Sequence, residues 1–248
     1  MASWSVPRPD RRTARMMHDP IGIVGHPPST VSPMLPTFDI RPGFAVVDLE
    51  TTGFSPQSDR VIEVAVVVLD PDGHEVDAFC TLIDPQRDPG PTHVHGITAG
   101  MLEGAPTFGG VQPYLAGLLS GRVVVGHNIE RFDLAFLVAE CHRLGGDQLV
   151  PATVVTLDTL RVAQAYLDLP GKARLVDCCD RYQLTWDDHH SALGDARVTA
   201  ALLGAMRTEL GDDMLDVDRL LQDSQKQAWP GSTAHRPVAH SRSHTPAA

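Results

Sequence analysis

Three stretches rich in β-branched and aromatic residues, Phe44–Leu49, Arg60–Asp70 and Glu75–Ile83, stand in a row before any helical periodicity begins. The turn tripeptide Pro71-Asp72-Gly73 separates the last two and predicts a hairpin. The pattern then alternates. Helical spacing covers Gly109–Ser120, Glu130–Leu144, Thr159–Leu167, Arg174–Tyr182 and Ala192–Leu210, with short strands at Arg122–Val125 and Val154–Asp158. A strand meander that passes into strand–helix alternation implies an α/β fold, a mixed sheet covered by helices.

The ends lack such patterning. Eight of the 20 prolines fall in residues 1–42 among Ser, Arg and Gly, and from Gln222 onward the chain is rich in Gln, Ser, His and Pro. Both ends are expected to be flexible tails, 1–42 and 222–248, around one domain at 43–221. With 42% apolar and 21% charged residues, the chain as a whole is neither disordered nor a coiled coil. Its longest strictly apolar runs, Val64–Leu69 and Leu134–Ala139, fall far short of the ~20 residues of a membrane span. Met1–Arg15 has no apolar stretch of signal-peptide type, so a cytoplasmic protein is expected. Cys80, Cys141, Cys178 and Cys179 show no C-x-x-C spacing and are expected to be buried, reduced thiols.

The net charge of −11 argues at first against a phosphate-bearing partner, and both ends are mildly basic, so the central segment is more acidic still. The positions of the acids matter more than their number. Asp48 and Glu50 end the first apolar strand and, two residues apart, point to the same side of it. Asp133 falls in the first turn of a helix whose core face is Leu134, Leu137, Val138, Cys141 and Leu144. Asp195 lines up with Val198, Leu202 and Met206, which places a carboxylate on the apolar stripe of the last helix. A carboxylate buried there needs a metal, a basic partner or a raised pKa. His190 precedes the expected N-cap, Ser191, and so belongs to the same end of the sheet.

Four acids drawn from one strand end and two helix starts meet naturally at one edge of an α/β sheet. They make an oxygen-ligand set for hard divalent cations, Mg²⁺ or Mn²⁺. With His190 as base, the set has what two-metal phosphodiester hydrolysis requires.

These segments resemble those of the DEDD-type 3′–5′ exonucleases with a catalytic His, the superfamily that includes the epsilon proofreading subunit of bacterial DNA polymerase III. The first motif is Phe44-Ala-Val-Val-Asp-Leu-Glu-Thr-Thr-Gly-Phe54 followed by Arg60-Val-Ile-Glu63. The second is His127-Asn128 with Phe132-Asp133, and the third is His190-Ser-Ala-Leu-Gly-Asp-Ala196. His95-Gly96-Ile97-Thr98, Ala105-Pro106-x-Phe108 and Asp158-Thr159-Leu160 resemble the family's intervening signatures. The resemblance implies a ribonuclease-H-like fold with a five-stranded mixed sheet. It implies that Asp48, Glu50, Asp133 and Asp195 hold two Mg²⁺ or Mn²⁺ ions, and that His190 is the general base. It also implies that Thr51, His95, Ile97 and Asn128 lie near the terminal nucleotide. One departure is visible: Ile129-Glu130-Arg131 puts three residues where the family has two.

The implied reaction is release of nucleoside 5′-monophosphates from the 3′ end of single-stranded DNA. An exoribonuclease or oligoribonuclease of the same superfamily is the alternative, because the motifs carry no reading of the 2′-hydroxyl. His93-Val94-His95 offers an H-x-H pair of zinc-hydrolase type, but the acids favour harder metals. A non-catalytic nucleic-acid-binding module is the rival of another class, and the presence of all five site residues speaks against it. Gln183-Leu184-Thr185-Trp186 loosely resembles a sliding-clamp peptide, yet its place before His190 suits ordinary packing, leaving the tails to carry any polymerase or clamp contact.

Overall fold

The computed structural model describes residues 43–145, 155–169, 173–186 and 191–211. The expected tails at 1–42 and 222–248 lie outside the described residues, as do His189 and His190. The meander is formed by β1 (Phe44–Thr51), β2 (Val61–Leu69) and β3 (Glu75–Leu82). Then come α1 (Thr92–His95), a 3-10 turn at Ala99–Leu102, α2 (Phe108–Leu119), β4 (Val123–Gly126) and α3 (Asp133–Arg143). The described residues end with β5 (Thr156–Asp158), α4 (Thr159–Tyr166), α5 (Leu175–Tyr182) and α6 (Ala192–Leu210). The strands form one five-stranded sheet in the order β3-β2-β1-β4-β5. β1–β2 and β2–β3 pair antiparallel, while β1–β4 and β4–β5 pair parallel, so the sheet is mixed as expected.

Alternation along the strands divides the core in two. Ala45, Val47 and Leu49 of β1 join Val64, Val66 and Val68 of β2 against Phe108, Val111 and Leu115 of α2 and Leu134 and Leu137 of α3. Phe44 and Val46 join Ala65, Val67 and Leu69 against Ala192, Ala196 and Leu203 of α6. Asp48 and Glu50 share the parity of Phe44 and Val46, so they issue on the α6 side, where the apolar layer ends.

Two features depart from the sequence expectation. Cys80 is exposed, because β3 is an edge strand whose first residues face solvent, while Cys141, Cys178 and Cys179 are buried free thiols. Helix α3 begins at Asp133 rather than Glu130. Asn128 adopts a left-handed conformation (φ 68°), and its carbonyl accepts the N–H groups of Arg131 and Phe132. That turn absorbs the extra residue between Asn128 and Phe132. Gly126 permits it: a Cβ there would stand 2.7 Å from the Cβ of Ile129, which is fully buried. Among the described residues no helix is long and apolar enough to cross a membrane.

A buried ion pair joins the start of β2 to α3. Glu140, 1% exposed, accepts from Arg60 Nε at 2.7 Å and Nη2 at 2.9 Å and from the Val61 N–H at 3.2 Å. Arg143 adds a further contact at 3.2 Å. Glu140→Ala would leave two guanidinium groups without their shared acceptor, and their partial exposure sets the cost near the lower end for buried pairs, about 3 kcal/mol. The expected outcome in thermal denaturation is a Tm lower by about 6–12 °C, and a drop of under about 2 °C would contradict this role.

Candidate active site

Ligand oxygens of Asp48, Glu50 and Asp195 all lie within 4.8 Å of one another. β1 supplies the first two, and α6 brings the third as its fourth residue, with the Asp195 N–H bonded to the Ser191 carbonyl at 3.0 Å. Ser191 is the N-cap of α6, as expected, and its hydroxyl accepts the Gly194 N–H at 3.1 Å. Asp133, 4% exposed at the start of α3, stands outside the 4.8 Å set, but its charge reaches both Asp48 and Glu50.

So dense a set of carboxylates resists ionisation. Burial, and then the charges of Asp195, Glu63 and Asp133, push Glu50 up to about 8. Asp133 is also pushed up to about 8, by burial first, with its own backbone N–H pulling down and Asp158 pushing up. Asp48 rises well above the carboxylate range through burial, followed by the charges of Asp133, Asp195, Glu50 and Glu63. An all-oxygen donor set whose members destabilise one another's charge fits a hard divalent cation, which reverses that penalty. A second grouping of ligand atoms among the described residues, Asp70, Asp72 and His74, is the largely exposed β2–β3 turn, where Asp70 accepts the His74 N–H at 2.9 Å.

The residues expected around the terminal nucleotide take different positions. Thr51 donates to the Gly53 carbonyl at 2.6 Å and pins the turn after β1. His95 ends α1 and is 5% exposed; its Nδ1 accepts the Ile97 N–H at 3.1 Å, which puts the proton on Nε2. Nε2 is buried and has no hydrogen-bond partner among the described residues. Burial pushes the His95 pKa down; the nearby Pro89 carbonyl opposes this, the His93 charge adds to it, and the Glu63 charge opposes it least. Ile97 is buried with Ile62 and Leu102 in a small core of its own. Asn128 donates its N–H to Asp158 Oδ1 at 2.8 Å. His93 is exposed while His95 is buried, so the H-x-H pair does not share one environment. His190 lies outside the described residues.

The RNase T family of exonucleases matches residues 45–203. The chain belongs to this exonuclease family. It is 34% identical over 167 residues to the DNA polymerase III subunit epsilon of Treponema pallidum, covering 66% of this chain and 75% of that one. It is 37% identical over 160 residues to a PolC-type DNA polymerase III of Thermotoga petrophila, covering 63% of this chain but 11% of that one. It is 34% identical over 163 residues to the 3′–5′ exonuclease DinG of Bacillus subtilis, covering 64% and 17%. The chain thus spans a small part of the PolC and DinG proteins. Escherichia coli exonuclease I in complex with a dT13 oligonucleotide superposes with a TM-score of 0.62 at 19% identity, over 70% of this chain and 42% of that one. The fold is therefore ribonuclease-H-like, and the family is the DEDD-type 3′–5′ exonucleases resembling epsilon.

Three further residues support the cluster. Glu63, ambiguous from sequence as an acid inside a strand, sits opposite Glu50 in the β1–β2 register and accepts the Ala192 N–H at the start of α6 at 3.0 Å. It fastens α6, and so Asp195, to the sheet; only the strand register reveals this. Asp158 uses one oxygen for both the Asn128 N–H and the Leu160 N–H, capping α4 while holding the turn before Asp133. Trp186 donates its indole N–H to Asp195 Oδ1 at 2.9 Å, and Leu184 packs into the core beside α5 and α6. In the segment 183–186, Leu184 and Trp186 are half-buried while Gln183 and Thr185 are exposed.

A carboxyl near 8 in the folded protein but near its ordinary 4.5 when unfolded keeps its proton only in the folded state between those values. The metal-free protein therefore loses stability as pH rises from about 4.5 through about 8. In EDTA the Tm is expected to fall across that window, Mg²⁺ or Mn²⁺ to offset the fall, and Asp133→Asn to flatten the EDTA curve. A metal-free Tm that rises with pH there would contradict the electrostatics described.

Proposed function

We propose that the protein hydrolyses phosphodiester bonds from the 3′ end of single-stranded DNA, releasing nucleoside 5′-monophosphates, with two Mg²⁺ or Mn²⁺ ions and His190 as general base. The observation that carries this reading is the convergence of Asp48, Glu50 and Asp195 within 4.8 Å, with Asp133 beside them. Cations held by these four carboxylates would supply a more acidic water and positive charge for the phosphate undergoing attack.

The chain's own residues account for the rest. His190 is the residue immediately before Ser191, the cap of the helix that carries Asp195. From there it takes the proton of the attacking water; the P–O3′ bond breaks, and the departing 3′-oxygen is reprotonated from solvent. His95 has a buried ring nitrogen to offer as a donor to the terminal nucleotide. Thr51, Ile97 and Asn128 shape the same end of the site by holding the backbone around it. Phe54, 84% exposed beyond the Thr51 turn, offers a ring for a nucleobase to stack on.

DNA is favoured over RNA because the relatives include DNA polymerase III proteins and the structural neighbour was captured with an oligodeoxynucleotide. A polymerase is the partner class those names suggest, and the exoribonuclease reading is the alternative. Single-stranded DNA and RNA of one sequence, incubated in parallel, are expected to show faster 3′ trimming of DNA, abolished by EDTA; a clear preference for RNA reverses the choice. His190→Ala is expected to lower turnover by about 10²–10⁴ while Mn²⁺ affinity is kept, and full activity in that variant removes His190 from the mechanism.

A further inference from the structure

Asp195 is asked to sit where electrostatics least favour it, its oxygens within 4.8 Å of those of Asp48 and Glu50. Like charges at that range push the flexible side chain toward other rotamers. The N-cap at Ser191 and the Glu63–Ala192 bond fix the helix backbone but leave the Asp195 side chain to be oriented by something else. The indole N–H of Trp186 meets Asp195 Oδ1 at 2.9 Å.

We propose that Trp186 is a positioning residue for the metal site, its indole N–H holding the Asp195 carboxylate in the orientation that binds a cation. The inference rests on the metal-dependent reading proposed above. Indole suits the task because it is a donor only: it cannot ligate the cation, carries no charge and engages one of the two carboxylate oxygens. The chain leading to it is tied down. Gln183 ends α5 in a left-handed conformation, and the Leu184 N–H bonds the Cys179 carbonyl at 2.9 Å. The half-buried Leu184 side chain packs against the core cluster that includes Cys178 of α5 and Leu202 and Met206 of α6, which anchors the stretch of chain leading to Trp186. A donor fixed by packing, aimed at a ligand carboxylate, is the arrangement by which residues beyond the ligands tune metal affinity.

The test is Mn²⁺ binding to the full chain, read by calorimetry and by the Mn²⁺-induced rise in Tm, for the native protein, Trp186→Phe and Asp195→Asn. Trp186→Phe keeps an aromatic body and loses the donor; it is expected to weaken Mn²⁺ by about 10–100-fold. In nuclease assays the metal concentration for half-maximal rate should rise in parallel while the KM for DNA holds. A folded Trp186→Phe with native Mn²⁺ affinity overturns the positioning role. If Asp195→Asn abolishes binding in the same series, the metal reading survives that result; if the native chain binds no Mn²⁺, both fall. Should Trp186→Phe not fold, fluorescence decides. The chain has three tryptophans, so Trp4→Phe with Trp229→Phe leaves Trp186 as the sole indole. Mn²⁺ should then quench its emission with the calorimetric midpoint, and unquenched emission at saturating Mn²⁺ overturns the proposal.

Discussion

Mutual repulsion among carboxylates at the end of β1 is the constraint around which the rest of the structure is arranged. The charges of Asp133 and Asp195 raise the pKa values of Asp48 and Glu50 in a half-buried site, and left to relax these side chains would separate. They stay together because each is carried by a rigid element. β1 is the central strand, hydrogen-bonded to β2 on one side and β4 on the other, and α6 and α3 cover its opposite faces. The apolar sheet beneath supplies the stability that the cluster costs, which is the usual relation between a strained functional site and its scaffold.

The remaining buried acids follow the opposite rule. Glu140 is enclosed by Arg60, Arg143 and the Val61 N–H. Asp158 is satisfied by two backbone N–H groups, and Glu63 by the first turn of α6. Each of these pairings fastens an element that bears a cluster residue. Glu140 ties α3 to β2, Asp158 ties the turn before α3 to α4, and Glu63 ties α6 to β2. Glu140, Asp158 and Glu63 thus act as fasteners through the protein donors they accept, while Asp48, Glu50, Asp133 and Asp195 gather at the end of β1, where Glu63 and Asp158 still add their charge.

Much of this was legible in the sequence, and the exceptions have physical causes. Strands and long helices were placed to within a few residues because two thirds of β2 is Val and Ile and the helices keep a 3.6-residue apolar period. Alternation alone put Asp48 and Glu50 on one side, and periodicity alone put Asp195 on the inner stripe. Helix α1 and the 3-10 turn were not legible, since four residues carry no period. The start of α3 was misplaced by three residues because a left-handed Asn128 looks like any other Asn until φ is known. Glu63 and Trp186 were opaque for a different reason. Their roles depend on what lies across a strand pair or a helix interface, 129 residues away for Glu63 and Ala192 and nine for Trp186 and Asp195, and no local pattern encodes such a partner.

The charge of −11 acquires a definite meaning from this arrangement. Arg60, Arg143, Arg161, Arg174, Arg181 and Arg197 are each engaged with a carboxylate of the same domain, which diminishes what they can contribute to a phosphate backbone. Among the described residues, these six arginines therefore add little to steering by a basic groove. On the proposed reading, positive charge is instead borrowed from solution and concentrated at one point by Asp48, Glu50, Asp133 and Asp195. Recognition then depends on the scissile phosphate at a chain end more than on the length of the polyanion, and an acidic protein becomes compatible with a nucleic-acid substrate.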